Sequence, residues 1–300
     1  MNKKIVITGA SGWLGKETIS VLNNTDYDLR LFASEKKSIN LLDNASVEAN
    51  SLDSIDLTES CEGFIHLAHL TREKVSKLGQ QNFIYENLLL TSKAAQIIQS
   101  TKPKWVILVS SGAIFDPSNN KIDPNIVINP YGFGKRVEEL IVRNACEIAG
   151  ANLVIGRLWG ASGKLMVPNN AYALSDFIES AITHKEIKIN SPYDVFRKYV
   201  NAGQFMEVLV KSAQNGRNLT INSGGFLAEI GEIAKLVAAS INETKIIRPK
   251  YDGSQANIYY PKDEDFNALA TEMGVNLLSI NDQIDLTISC LLYTSDAADE

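Results

Sequence analysis

Cysteine is scarce in this chain and is not arranged for either of its usual structural uses. Cys61, Cys146 and Cys290 are the three present. They stand at no metal-ligand spacing, and three thiols give no disulfide framework, so a reducing, cytoplasmic compartment is expected. Clustered positive charge is lacking too. The 29 Lys and Arg are outnumbered by 35 Asp and Glu, for a net charge of −6. Nucleic-acid binding needs grouped Lys and Arg to neutralise phosphates, so nucleic acid is not an expected partner. Long apolar runs are missing as well. The run within "MNKKIVITGASG" is too short for a signal peptide or a membrane span and leads straight into a strand, so a membrane is not an expected partner. Internal repeats and low-complexity segments are absent.

What is present is an ordinary globular composition, 45% hydrophobic and 21% charged. The length of 300 residues suits one large domain, or a nucleotide-binding domain with a smaller lobe. "KKIVITGASGWLG" reads as a buried strand, a Gly-rich turn and a helix start. "YDLRLFAS" and "GFIHLAH" are further strands. An amphipathic helix spans Phe83 to Ser100, and "KWVILVSS" is the continuous apolar run of a central parallel strand. A helix from Tyr131 to Ala149 leads to the strand "NLVIGRLWG". Strands alternating with helices at this spacing predict an α/β fold with a parallel, doubly wound sheet. After about Gly160 the pattern loosens, although "NLTINSGG" reads as a strand and "LAEIGEIAKLVAASI" as an amphipathic helix. The expected division is a nucleotide-binding domain over residues 1–160 and a smaller mixed α/β substrate lobe over 161–289, partly interleaved with it. The closing "CLLYTSDAADE", residues 290–300, resembles the translation of a transposon-derived sequencing adapter. It is expected to be a non-native tail, which leaves Cys290 without meaning.

Gly9, Gly12 and Gly15 lie between the first strand and the first helix. They would give a tight turn, a close backbone approach to a pyrophosphate, and close helix–sheet packing. The free N–H groups of the helix N-terminus complete an anion site, with Ser11, Trp13 and Leu14 in the same turn. The end of the second strand, where an acidic residue would bind a ribose 2′-hydroxyl, carries Ala33 and Ser34 instead. Lys36 and Lys37 follow, with Glu35 beside them. NADP is therefore favoured over NAD, although both stay open.

Ser110 and Ser111 end the central strand, where ligands bind in open parallel sheets. Twenty residues on, "NPYGFGK" sets Tyr131 and Lys135 one helical turn apart. These motifs, with "HLAH" and the Asn of "YENLLLTSKAAQII", occur in an order that resembles the extended short-chain dehydrogenase/reductase family, and within it the nucleotide-sugar epimerase/dehydratase group. The resemblance is strong through residue 160 and patchier beyond. It implies a Rossmann-type domain, a nicotinamide cofactor and a nucleoside-diphosphate sugar as substrate.

The chemistry stands beside the resemblance. A free Tyr ionises near pH ~10, too high for an efficient base. The charge of a neighbouring Lys, and of an oxidised nicotinamide, favours the phenolate. Tyr131 can then take a proton from a substrate hydroxyl as hydride leaves the carbon, and return it in reverse. Ser111 can orient the same oxygen. Adjacent strand residues face opposite ways, and the family's Ser/Thr stands four residues before an aromatic, here Phe115, which favours Ser111 over Ser110. The resemblance further implies contacts from Lys135 to the nicotinamide ribose and from Leu67 and Ala68 to the cofactor. Asn87 would support the site from mid-helix. His66 and His69 lack a third ligand, so no metal is expected.

In the second lobe, "DVFRKYV" and "IIRPKYDG" resemble family segments whose Arg contacts the sugar diphosphate, which points to Arg197 and Arg248. Lys164, Asn169, Asn170 and Tyr172 lie in a loop expected to close over the sugar. Some positions depart from the family. Gly160 stands for an Asn after the strand "NLVIGRL". Gly203 and Gln204 stand where an Asp often occurs. Gly112 and Ala113 stand where 4,6-dehydratases carry an acidic pair, which disfavours dehydration. The expected reaction is 4-keto-sugar reduction or 4-epimerisation, in surface-polysaccharide precursor synthesis by analogy. Reduction of a non-nucleotide carbonyl and a non-catalytic nucleotide sensor remain as rivals. Family members often dimerise through helices like those around Leu88–Ile98 and Glu138–Ile148, so a homodimer is also open.

Overall fold

In the computed structural model, residues 3–23, 25–41, 45–116, 121–122, 125–166, 172–241, 244–253 and 255–296 are described. The chain divides into two compact units. The first comprises residues 1–158 and 206–222, and the second comprises 159–205 and 223–300.

The first unit begins with β1 (Lys4–Thr8), α1 (Trp13–Leu22), β2 (Asp28–Ala33), β3 (Lys37–Asn40), β4 (Ser46–Ser51) and β5 (Gly63–His66). It continues with α2 (Lys74–Leu78), α3 (Gln80–Thr101), β6 (Trp105–Ser111), α4 (Pro130–Ala149) and β7 (Asn152–Leu158). β8 (Ala161–Ser162), α5 (Ala173–His184), β9 (Glu186–Lys188) and β10 (Asp194–Asn201) belong to the second unit. α6 (Ala202–Gln214) carries the chain back to the first, where β11 (Leu219–Asn222) joins its sheet. The second unit is completed by β12 (Phe226–Glu229), α7 (Ile230–Ser240), β13 (Lys245–Ile247), β14 (Ala256–Tyr259), α8 (Asp265–Glu272) and α9 (Ile280–Asp296).

The sheet of the first unit runs β11-β7-β6-β5-β1-β2-β4-β3, parallel throughout except for the β3–β4 hairpin. This is a doubly wound, Rossmann-type order, whose direction reverses between β1 and β5. The central strands are covered on both faces, and their sequences are accordingly near-continuous apolar runs: "KIVIT" in β1 and "WVILVSS" in β6. Phe64, Ile97, Ile98, Val106, Leu108, Val142 and Ile155 pack together as one core beneath α3 and α4. β4 was not expected from the sequence. "SVEANS" has a single buried residue, Ala49, because the strand lies near the sheet edge and buries little apolar surface.

The second unit has a β12-β10-β14 sheet with β8 paired to β10, and a two-stranded β13-β9 ladder. Its core gathers Leu174, Phe177, Ile178, Ile233, Val237 and Ile284 from α5, α7 and α9.

Candidate active site

The Gly-rich turn between β1 and α1 is built by close approach. Gly9 has φ +73°, and a Cβ there would sit 2.6 Å from the Leu67 carbonyl carbon and 2.7 Å from the Ala68 nitrogen. Gly15 likewise leaves no room, since a Cβ would meet the Gly9 oxygen at 2.4 Å. Gly12 differs. It is exposed, and a Cβ there would meet only the Gly9 oxygen, at 3.3 Å. It is the N-cap of α1 and has no side-chain capping bond, so the first N–H groups of the helix face outward without a side chain in their way. Gly9 and Gly15 thus hold the backbone in place, and Gly12 leaves the helix N-terminus open, with N–H groups of the polarity a pyrophosphate needs. Ser11 is half-buried beside it; Trp13 and Leu14 form the first turn, and the Trp13 indole donates to Glu17. The residues fit the phosphates of a dinucleotide.

At the end of β2, Ala33 is buried, and Ser34, Glu35 and Lys36 are exposed. Lys37 ion-pairs with Glu35 at 3.0 Å, which leaves Lys36 as the cation of the pair that is not tied to Glu35.

β6 ends with its two serines on opposite faces. Ser110 is buried beside the Glu139 carboxylate. Ser111 is half-buried, and its hydroxyl accepts the Ala113 N–H at the start of a 3₁₀ turn, Gly112–Ile114. Asn129 then joins this turn to α4. Its side-chain oxygen caps the helix by accepting the Gly132 N–H at 2.8 Å, and its amide donates to the Ala113 carbonyl. Pro130 occupies the first helical turn, where its missing N–H costs nothing. A Cβ on Gly132 would lie 2.2 Å from the Ala113 oxygen. "NPYG" is therefore a docking device: it seats α4 against the end of β6 and brings Tyr131 to Ser111.

Burial pushes the Tyr131 phenol up to about 12, an interaction with Ser111 draws it back, and the Glu138 charge adds to the rise. The His69 ring meets the Tyr131 ring edge-on, with centroids 5.7 Å apart. His69 follows directly on Leu67 and Ala68, which pack against Gly9. The turn and the phenol thus adjoin the same short segment. Asn87 is buried and braces this segment: its oxygen accepts the Leu70 N–H and its amide donates to Phe83, both at 2.8 Å.

Lys135 is buried. Its ammonium donates at 2.9 Å both to the Val109 carbonyl and to the Glu138 carboxylate. Glu138 is 1% exposed and is also approached by His66 Nε2 at 3.3 Å and His69 Nδ1 at 3.2 Å. The His66 contact is close but poorly directed, and that nitrogen makes no hydrogen bond among the described residues; the His69 contact is a hydrogen bond. The other His66 nitrogen meets the Thr8 hydroxyl at 2.7 Å and links the ends of β1 and β5. Burial opposes the charge on Glu138, but Lys135 and His69 outweigh it and hold the carboxyl well below its usual range. His69 is pushed down to about 4, by burial first and by the Lys135 charge next, and is neutral at pH 7.

Neither Glu138 nor its neighbour Glu139 is among the residues expected from the sequence. The signal was available, because Lys135, Glu138, Val142 and Ala145 share the buried face of α4 at helical spacing. Glu139 is fully buried and takes a two-pronged bond from Arg157 at 2.8 and 2.9 Å.

In the second unit, Arg197 lies on β10. Its guanidinium donates to the Phe196 and Asn257 carbonyls and stacks over Tyr259. Arg248 is bound to the Ser191 and Tyr193 carbonyls and to Glu229, the last at 3.0 Å. Both guanidinium groups are thus engaged within the unit. Tyr172 is the N-cap of α5; Lys164 is exposed, and Asn169 and Asn170 lie outside the described residues. Gly160 has a packing reason for departing from Asn: a Cβ there would be 2.4 Å from the Lys198 oxygen.

Compared with curated proteins, the sequence has no significant match. Solved structures match over nearly the whole chain. A UDP-N-acetylglucosamine 4-epimerase from Methanobrevibacter ruminantium M1, in complex with UDP-N-acetylmuramic acid, aligns with a TM-score of 0.78 at 16% identity, covering 98% of this chain and 99% of that one. The Thermus thermophilus UDP-glucose 4-epimerase, in complex with NAD, gives 0.71 at 16% identity over 96% and 99%. An NAD-dependent NDP-hexosamine 5,6-dehydratase of tunicamycin biosynthesis gives 0.77 at 14% identity over 96% and 97%. These likenesses concern the fold. Residues 5–224, which include the glycine turn, Ser111, Tyr131 and Lys135, match a family model, and on that match the chain belongs to the NAD dependent epimerase/dehydratase family.

Proposed function

We propose that this protein transfers hydride to and from a carbinol carbon of a nucleoside-diphosphate sugar, as a 4-epimerase or a 4-keto-sugar reductase. The observation that carries the reading is the Ser111–Tyr131–Lys135 arrangement at the end of β6, beside the segment that packs on the glycine turn. The dinucleotide would lie with its pyrophosphate at Gly12 and the α1 N-terminus, and when bound it supplies the hydride acceptor or donor. Tyr131 accepts the hydroxyl proton as the carbinol becomes a ketone, and returns it in the reverse direction. Ser111 donates a hydrogen bond to the same oxygen and fixes its distance from the phenol. Lys135 is paired with Glu138, and burial with the Glu138 charge holds the free Tyr131 phenol up to about 12. Lys135 alone is therefore not what favours the phenolate; the charge of a bound oxidised nicotinamide would.

Ser34 and Lys36 favour a 2′-phosphate at the end of β2, and so NADP over NAD; a reductase consuming NADPH follows from that preference. 4,6-Dehydration, which eliminates water across C5 and C6 of a 4-keto sugar, is disfavoured. Gly112 and Ala113 offer no acid, and both are buried in the turn that Asn129 holds. Arg197 and Arg248 are the proposed diphosphate contacts, and Arg248 would have to exchange Glu229 for the phosphate. A cytoplasmic homodimer through α3 and α4 completes the proposal; Tyr85, Leu89, Leu140 and Ile148 are exposed apolar residues on those helices.

The test is titration with NADH and NADPH, followed by a panel of UDP- and dTDP-sugars and their 4-keto forms, read by absorbance of the reduced nicotinamide and by epimer analysis. Tighter NADPH binding and turnover of one panel member are expected. Tighter NADH binding overturns the NADP preference, and turnover of simple aldehydes or ketones but of no nucleotide sugar overturns the substrate class.

A further inference from the structure

The Lys135 ammonium has three donors. Two are used inside the fold, on the Val109 carbonyl and on Glu138 Oε2, each at 2.9 Å. The two acceptors come from different elements, β6 and α4, so they fix both the position of the nitrogen and the direction of its third N–H. Glu138 is itself held. Its other oxygen accepts from His69 Nδ1 and lies 3.3 Å from His66 Nε2. The carboxylate is 1% exposed and engaged on both oxygens, so its position and that of Lys135 are fixed together.

We propose that Glu138 is a positioning residue for the Tyr131–Lys135 pair: with the Val109 carbonyl it pins the Lys135 ammonium so that one N–H points to a bound dinucleotide, and its negative charge opposes ionisation of the Tyr131 phenol. The phenol then stays protonated until a cationic nicotinamide arrives, which keeps an unliganded site from holding a buried phenolate. This deepens the proposed function and rests on Tyr131 being its acid–base group. The charged and titratable groups around the pair are Lys135 on α4, His66 and His69 at the end of β5, and Arg72 and Glu73 before α2. His69 is neutral at pH 7, so the charge opposing Lys135 at the centre of the cluster is that of Glu138.

The experiment reads tyrosine ionisation by ultraviolet difference absorbance, in saturating NAD⁺ or NADP⁺, whichever binds tighter. The difference between the protein and its Tyr131→Phe variant isolates the Tyr131 transition, and the same subtraction is made in a Glu138→Gln background. The Tyr131 midpoint is expected to fall by about one pH unit in Glu138→Gln, a tenfold rise in phenolate at fixed pH. Glu138→Asp keeps the charge but withdraws it from Lys135. It is expected to leave the midpoint within a few tenths of a unit, about the scatter of such titrations, while weakening dinucleotide binding severalfold. An unchanged midpoint in Glu138→Gln, or wild-type dinucleotide affinity in Glu138→Asp, overturns the proposal. If the Gln variant does not fold, the Asp variant decides alone. No sugar is needed, so a wrong substrate class leaves this test standing; full turnover by Tyr131→Phe instead refutes the underlying reading.

Discussion

Glu138 and Glu139 are consecutive, both buried, and answer to different partners. Glu139 locks α4 to β7 through Arg157 and to its own helix through Arg136. Removing it strands a little-exposed guanidinium, so Glu139→Ala is expected to cost about 3–5 kcal/mol in urea unfolding. The Tyr131 titration should stay where it is. Glu138→Gln likewise leaves a buried cation, Lys135, without its carboxylate and should also cost stability, but of the two it alone moves the titration. His69 makes a separate prediction. Its folded pKa of about 4 lies below the ordinary 6.5, so between those values the unfolded chain holds a proton that the folded one refuses. Stability therefore falls as pH drops from about 6.5 towards 4, by up to roughly 3 kcal/mol, and His69→Gln removes that part of the slope. Unfolding midpoints measured across this range check it. Glu138 adds an acid dependence below its ordinary 4.5, because its folded value is depressed and its contribution is lost as it protonates.

At the scale of elements, the glycines of the first turn separate fold from ligand. Gly9→Ala forces a side chain to φ +73° and into the Leu67–Ala68 peptide, so it is expected to destabilise by several kcal/mol, of the order of 3. Gly12→Ala has only one tight neighbour and should keep the thermal midpoint within a few degrees of the parent. It should nonetheless weaken dinucleotide binding, since the added methyl would stand at the proposed pyrophosphate position. Calorimetry and nucleotide titration on the two variants distinguish these outcomes. The same turn explains what was legible in the sequence. β1, α1, β5, β6 and α4 are buried on a regular period, and their turn residues have single uses: Gly9 for φ, Asn129 for the cap, Pro130 for the first turn. β4 was illegible because it buries one residue. Glu138 is hard to read from the sequence because a Glu reads as surface unless its helical face is followed through Lys135 and Val142.

For the whole molecule, the sequence is least informative after Leu158. The second unit is built from short strands whose alternation is weak, and β11 returns to the first sheet through residues that lie beyond the apparent boundary. Arg197 and Arg248 were nameable by resemblance, but their carbonyl and Glu229 partners were not, because those come from segments distant in sequence. Association is testable at this scale. Leu140 is 51% and Ile148 66% exposed, both on α4, so Leu140→Lys with Ile148→Lys is expected to convert a dimer to a monomer in light scattering. An unchanged mass would place any interface elsewhere. The central claim, that Tyr131 exchanges a proton with a sugar hydroxyl as hydride moves, is met most directly by one comparison: turnover of the best nucleotide sugar by the protein and by Tyr131→Phe. Loss of the phenol should lower kcat by about 10²–10⁴ with little change in dinucleotide affinity; equal turnover by the two proteins would contradict it.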